Sequence, residues 1–267
     1  MHTVRLEVVD TVAMEWLFSG DLRGLDPWMW AAALGVFVLG GVVKGALGAG
    51  LPLFVVPVLS LRLPPPVAIA LMVVPVLASN GWQAYDTRAS RSNMRRFWPL
   101  LGTLVVSTVL TVPMTLRLSN AALSSMLALA VIIAITCMAL NPQIKIAPER
   151  EPLAGAAVGL ISGALGGVSS LTGPVMITYL MSLKLKREDF VGSISVIYLF
   201  ASVPLYAAMA YTGRLDSSHL ALSCIAMVPV AVGLRMGKIL RSRLNEVWFR
   251  WILLAFLGVV ALALLFK

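Results

Sequence analysis

Ten apolar stretches separated by short polar turns fill the chain from residue 28 to residue 266, and they leave it essentially one class of fold. They run at about 28–43, 46–61, 66–85, 97–116, 121–140, 152–168, 171–183, 189–212, 217–236 and 247–266. Several reach the roughly 20 residues that a helix needs to cross a bilayer. A backbone in hydrocarbon must satisfy its own polar groups, which only helices and closed barrels achieve. Barrel strands would alternate apolar and polar residues over about ten positions. Runs such as Leu127–Ala139 and Ile252–Phe266 show no alternation, so an all-α integral membrane protein is expected. Composition agrees: 59% of the residues are hydrophobic and 12% charged, against about 45–50% and 25% in soluble domains.

Four stretches are short, namely 28–43, 46–61, 152–168 and 171–183, and glycines sit at their junctions. Each consecutive pair reads either as two short spans or as a broken, re-entrant hairpin, which puts the number of membrane segments at eight to ten. Ahead of them, residues 1–27 mix Glu7, Asp10 and Glu15 into an apolar run and so do not read as a signal peptide. Val9, Val12, Ala13 and Trp16 recur at helical spacing, which fits an amphipathic segment on the outer membrane surface or a frayed tail.

The order of short and long stretches repeats, and so do the residues. Gly41-Val-Val-Lys44-Gly45-Ala-Leu-Gly48 matches Gly159-Leu-Ile-Ser162-Gly163-Ala-Leu-Gly166 at an offset of 118. After four extra residues in the second copy, Pro52 matches Pro174 and Ser60-Leu-Arg-Leu matches Ser182-Leu-Lys-Leu at an offset of 122. The expected organisation is one transmembrane domain of two halves, 28–140 and 152–267, joined by a cytoplasmic linker at 141–151.

Basic residues give the relative orientation of the halves. The net charge of +9 gathers in short turns, a membrane-orientation signal rather than a sign of nucleic acid as partner. Lys and Arg cluster at 86–96 (Arg88, Arg91, Arg95, Arg96), 141–151 (Lys145, Arg150), 184–188 (Lys184, Lys186, Arg187) and 235–246 (Arg235, Lys238, Arg241, Arg243). The turns at 62–65, 117–120 and 213–216 carry one basic residue each. The rich turns are assigned to the cytoplasm, which leaves both termini outside. The rich turn 86–96 corresponds to the poor 213–216, and the poor 117–120 to the rich 235–246. Equivalent turns swap sides, so the repeat is inverted, an arrangement found in transporters.

In such transporters the substrate lies near the midplane, where interrupted helices point their ends at it. The matching interruptions here are Lys44–Pro52 and Ser162–Pro174. Gly45, Gly48, Gly50, Gly166 and Gly173 let the backbone bend and approach a ligand, and helix N-termini beginning there favour an anion. Ser162, Ser169, Ser170 and Thr172 add hydroxyl donors, and Lys44 is a cation embedded among apolar residues, which usually marks a pathway or a partner. The competing readings are close helix packing through GxxxG spacing for the glycines and snorkelling for Lys44. Asn80, Gln83, Tyr179, Ser193, Ser195 and Tyr198 are further candidates, each equally at home in a helix–helix hydrogen bond. Trp28, Trp30, Trp98, Trp248 and Trp251 lie near segment ends as interface anchors. Cys137 and Cys224 read as small buried hydrophobes, and no cofactor or metal motif accompanies them or His2 and His219. The expected partners are a small inorganic or organic anion and the bilayer, with a homo-oligomer left open.

The glycine turns resemble those of the sulfite exporter TauE/SafE family. Gly45-Ala-Leu-Gly48-Ala-Gly50-Leu-Pro52-Leu-Phe-Val-Val-Pro57 is similar to that family's Gly-rich turn leading to proline. Gly173-Pro174-Val-Met-Ile-Thr-Tyr179-Leu and Trp248-Phe-Arg250-Trp-Ile-Leu-Leu carry the likeness further, so that it covers roughly 28–266. Ala49 interrupts the usual glycine cluster in the first half, and Val168-Ser-Ser-Leu171 extends it in the second. The resemblance implies a non-enzymatic exporter of sulfite or of an organosulfonate such as sulfoacetate in the cell inner membrane. An anion channel and an importer share the architecture. A membrane enzyme would need a catalytic constellation, which the residues do not supply.

The charge pattern predicts that a single cysteine placed in 213–216 reacts with an impermeant maleimide added to intact cells. One placed in 86–96 should react only after the membrane is opened, and the reverse result would invert the orientation.

Overall fold

A computed structural model describes residues 27–87, 95–140, 146–240 and 246–266. The expected N-terminal segment up to residue 26 and the basic residues Arg88, Arg91, Lys145, Arg241 and Arg243 lie outside the described residues. The structure is 87% helical with no strand among those residues. The helices are α1 (Pro27–Leu47), α2 (Leu51–Ser60), α3 (Pro65–Ala70), α4 (Val73–Asp86), α5 (Trp98–Met114), α6 (Asn120–Leu140), α7 (Glu151–Ser169), α8 (Gly173–Ser182), α9 (Arg187–Tyr211), α10 (Ser217–Leu240) and α11 (Glu246–Leu265). With α3 and α4 counted as one span, eight are long and apolar enough to cross a membrane. Side chains such as Leu110, Val228 and Ile252 remain exposed on their outer faces, as lipid contact requires. The protein is a multi-pass integral membrane protein.

Two of the four stretches expected to be short are not. Helices α1 and α7 run for 21 and 19 residues, because their internal glycines pack against neighbours without ending the helix. Only α2 and α8 are short, at 10 residues each, or about 15 Å, half the hydrocarbon thickness. Helix α2 turns back along α1, with Gly40 against Leu51, Phe54 and Val55. The pairs α1–α2 and α7–α8 are therefore hairpins of one long and one half-length helix. Their elbows use left-handed backbone: Gly48 and Gly50 at φ 82° and 99°, and Ser170 at φ 61°. Pro52 and Pro174 then stand at the second residue of α2 and α8, where a missing N–H costs nothing. The ends of the short helices keep the offset of 122, while the glycines before them keep 118. The four extra residues thus lengthen α7 by one turn before its elbow.

The packing exchanges partners between the halves. Helix α1 lies along α10, and α7 along α5. Gly41 and Gly45 meet the backbone of α10 at Val230, Gly233, Leu234 and Gly237. Gly159, Gly163 and Gly167 meet α5 at Leu100, Leu104 and Thr111. At the second interface Thr103 and Ser107 donate to the carbonyls of Ala156 and Leu160 at 2.8 and 2.7 Å, the polar adhesion expected between membrane helices. Helices α4 and α9 pack on each other at the centre, as do α6 and α11. Cys224 is exposed and Cys137 only partly buried, unlike the buried positions expected for both, because each lies on a helix face turned away from the core.

The span formed by α3 and α4 breaks at Leu71–Met72, and the freed groups are satisfied from α10. Ser223, fully buried, donates to the Leu71 carbonyl at 2.9 Å and accepts from the Val74 N–H at 2.9 Å. Ser223→Ala strands both groups in an apolar interior and should cost about 1–3 kcal/mol. The check is a lowered midpoint for thermal unfolding in detergent, and an unchanged midpoint would show that water replaces the hydroxyl.

Candidate functional site

The two elbows share a cavity. The first hairpin contributes Lys44, Gly50 and Pro52, the second Ser170 and Thr172, α4 contributes Val76 and Asn80, and α9 lines the remainder from Tyr198 to Leu205. Its volume is about 10 Å³, room for about one water molecule. Any anion larger than that enters only as the walls part.

Lys44 dominates the chemistry of this space. It is carried on the last turn of α1 and is only 2% exposed. Its Nζ donates to Asn80 Oδ1 at 2.5 Å and lies 6.0 Å from the centroid of the Tyr198 ring. Asn80 Nδ2 in turn donates to the Val76 carbonyl at 2.8 Å, which fixes the amide with its oxygen toward the lysine. No carboxylate pairs with Lys44 among the described residues. Stripping a cation of water without a counter-charge costs several kcal/mol. The structure therefore holds a lysine amine at the junction of its two hairpins, supported by one amide oxygen and one aromatic face.

Of the residues expected at the site, Lys44, Gly50, Asn80, Ser170, Thr172 and Tyr198 line the cavity. Others stand behind it. Gly166 packs beneath Thr172, and Gly173 beneath the Tyr198 hydroxyl. Ser169 donates to the Leu165 carbonyl at 2.6 Å and accepts from the Leu171 N–H, which secures the elbow. Gly48 supplies the left-handed turn beside Val191, whereas Gly45 lies in the α1–α10 interface. Ser195 donates to Gln83 Oε1 at 3.2 Å, joining α9 to α4. Ser162 and Ser193 are buried without hydrogen-bond partners for their hydroxyls and do not border the cavity. Tyr179 is elsewhere, donating to the Glu151 carbonyl at 3.3 Å and packing edge-on to Phe97.

Pro52, Val76, Ala201, Ser202 and Leu205 complete the wall. Helical spacing was the signal for most of them. Ala201, Ser202 and Leu205 follow Tyr198 at the third, fourth and seventh positions, and Val76 precedes Asn80 by four, so each shares a helix face with a residue already singled out. Tyr206 also lies near Ser170.

Ser170 occupies a conformation usually left to glycine, and Gly48 is its counterpart at the other elbow. The left-handed conformation costs a residue with a Cβ about 1–2 kcal/mol. Ser170→Gly should thus stabilise the fold by about 1–2 kcal/mol, read as a higher thermal unfolding midpoint, while Ser170→Ala, which keeps the Cβ, should not. Equal midpoints for the two variants would show that the elbow carries no strain.

Comparison with known proteins adds one match: the model of the family described as Sulfite exporter TauE/SafE fits residues 33–264. No curated protein and no solved structure is similar enough to the chain to count as a match.

Proposed function

The chain belongs to the sulfite exporter TauE/SafE family, and from that premise we propose that it exports sulfite or an organosulfonate such as sulfoacetate across the cytoplasmic membrane. The observation that carries this reading is Lys44, buried where the two hairpins meet and paired with no carboxylate among the described residues. A bound oxyanion supplies the counter-charge that the protein withholds. Ser170, Thr172 and Tyr198 supply hydroxyls in the same wall, and the elbows supply glycine backbone that a ligand can approach closely.

The mechanism is alternating access by two oppositely oriented halves about a site near the midplane. The exchanged packing, α1 on α10 and α7 on α5, supports a rocking motion in which one interface loosens as the other tightens. A cavity of one-water size favours such a carrier cycle over a continuously open channel. Both termini then face outward, with the basic turns in the cytoplasm. The membrane potential assists export: moving one negative charge out of a negative interior gains about 2.3 kcal/mol per 100 mV, enough to drive a monoanion without a coupled ion.

Thermal unfolding of the purified protein with chloride, sulfate, sulfite and sulfoacetate tests the site. A ligand present at 100 times its Kd stabilises by about 2.7 kcal/mol. Sulfite or sulfoacetate should raise the midpoint for the native chain and leave Lys44→Met unmoved. Asn80→Asp, which sets a carboxylate against the lysine with almost no change of shape, should fold normally and lose the response as well. If none of these anions shifts the native protein, or if Lys44→Met responds fully, the assignment of the site is wrong.

A further inference from the structure

The cavity that holds Lys44 has a neighbour on the side of the α9–α10 turn. This second space, also about 10 Å³, is bordered by Pro66, Thr115, Gly167, Val168 and Arg214. Leu205 lines both cavities, so the two spaces share part of a wall. The elbow of the second hairpin separates them as well: Gly167 and Val168 face the second space, Ser170 and Thr172 the first.

Each cavity is therefore lined by one basic residue. Arg214 donates from Nη1 to Thr115 Oγ1 and from Nη2 to the Thr115 carbonyl, both at 3.0 Å. Those bonds hold the planar group against the end of α5 and leave further N–H donors of its fork unused. No carboxylate pairs with Arg214 among the described residues, and the nearby Asp216 is engaged by His219, accepting from its backbone N–H at 2.8 Å. Partial burial draws the Arg214 pKa below the usual guanidinium value.

We propose that Arg214 forms a second oxyanion station, reached from the Lys44 cavity past Leu205 and lying on the outer side of the transport path. This rests on the export reading above. A guanidinium fork suits an oxyanion because it can offer two parallel N–H groups to two oxygens. Two stations in series, with a narrow apolar partition, let an anion leave the inner cation without first losing all compensation. The small size of both spaces means that Leu205 and the elbow move when the anion passes.

Calorimetric titration of the full-length purified chain with sulfite at low ionic strength tests the inference, together with sulfite exchange across liposome membranes started from the Arg214 face. The native chain should bind at two sites. Arg214→Gln should lose one and keep the Lys44-dependent site, Lys44→Met should do the converse, and exchange by Arg214→Gln should fall about tenfold, the low end of electrostatic steering by a charged cleft. Should the glutamine variant fail to fold, Arg214→Lys carries the test: a point charge in place of the fork weakens the second site and leaves the first unchanged. A single Lys44-dependent site in the native chain, with normal exchange by Arg214→Gln or unaltered binding by Arg214→Lys, overturns the second station and leaves the export reading standing. Absence of sulfite binding at either cation overturns both.

Discussion

Hydrocarbon offers no hydrogen bonds, so a chain that stops being helical inside a bilayer must be enclosed by more protein. Helices α1 and α7 each end at an irregular elbow, and neighbouring helices cover both. The central pair α4 and α9 provides the cover: Asn80 and Val76 approach from one, Tyr198 and its helical neighbours from the other. The cavity lies where irregular backbone, hydroxyls and a lysine amine are gathered in the protein interior. The same requirement explains Ser223, which completes the interrupted ladder between α3 and α4 from a different helix.

Similarity of scaffold does not extend to similarity of charge. Lys44 corresponds to Ser162 at the offset of the glycine motif, but their surroundings differ. Lys44 reaches an amide and an aromatic face, whereas the Ser162 hydroxyl is buried without a partner. The extra turn at the end of α7 shifts the second elbow relative to its motif, so the two tips do not present the same atoms. One half brings a cation to the cavity, the other brings hydroxyls. The two hairpins thus give one cavity an asymmetric lining.

Much of the fold was legible because the bilayer reduces folding to a problem of length. The long stretches became spans, the tryptophans Trp28, Trp98 and Trp248 stayed exposed near helix ends, and the matched hairpins appeared where the repeat placed them. What the sequence left open was the use of each glycine. Gly41 and Gly45 belong to the same glycine-rich run as the glycines that turn, yet they lie within a continuous helix and admit another backbone. Gly48 and Gly50 terminate the helix with positive φ. The pattern is the same for both uses, and only the neighbour decides. The same ambiguity made α1 and α7 look short. Tyr179 was ambiguous for another reason: an aromatic one turn beyond a glycine–proline elbow can reach the cavity or lie along the hairpin stem, and its register on α8 sends it to Glu151.

The exchange of partners between halves also dictates an order of events during synthesis. The glycine face of α1 is made well before the strip of α10 that covers it, which begins at Val230. At about 5–20 residues per second, the wait is roughly 10–40 s. Throughout that interval α1 resides in the membrane with a groove of bare backbone facing lipid or a temporary chaperoning surface. Helix α7 has no such delay, since α5 precedes it. The two interfaces, alike in the finished molecule, are thus unequal in their exposure to error, and the older helix is the one that has to wait.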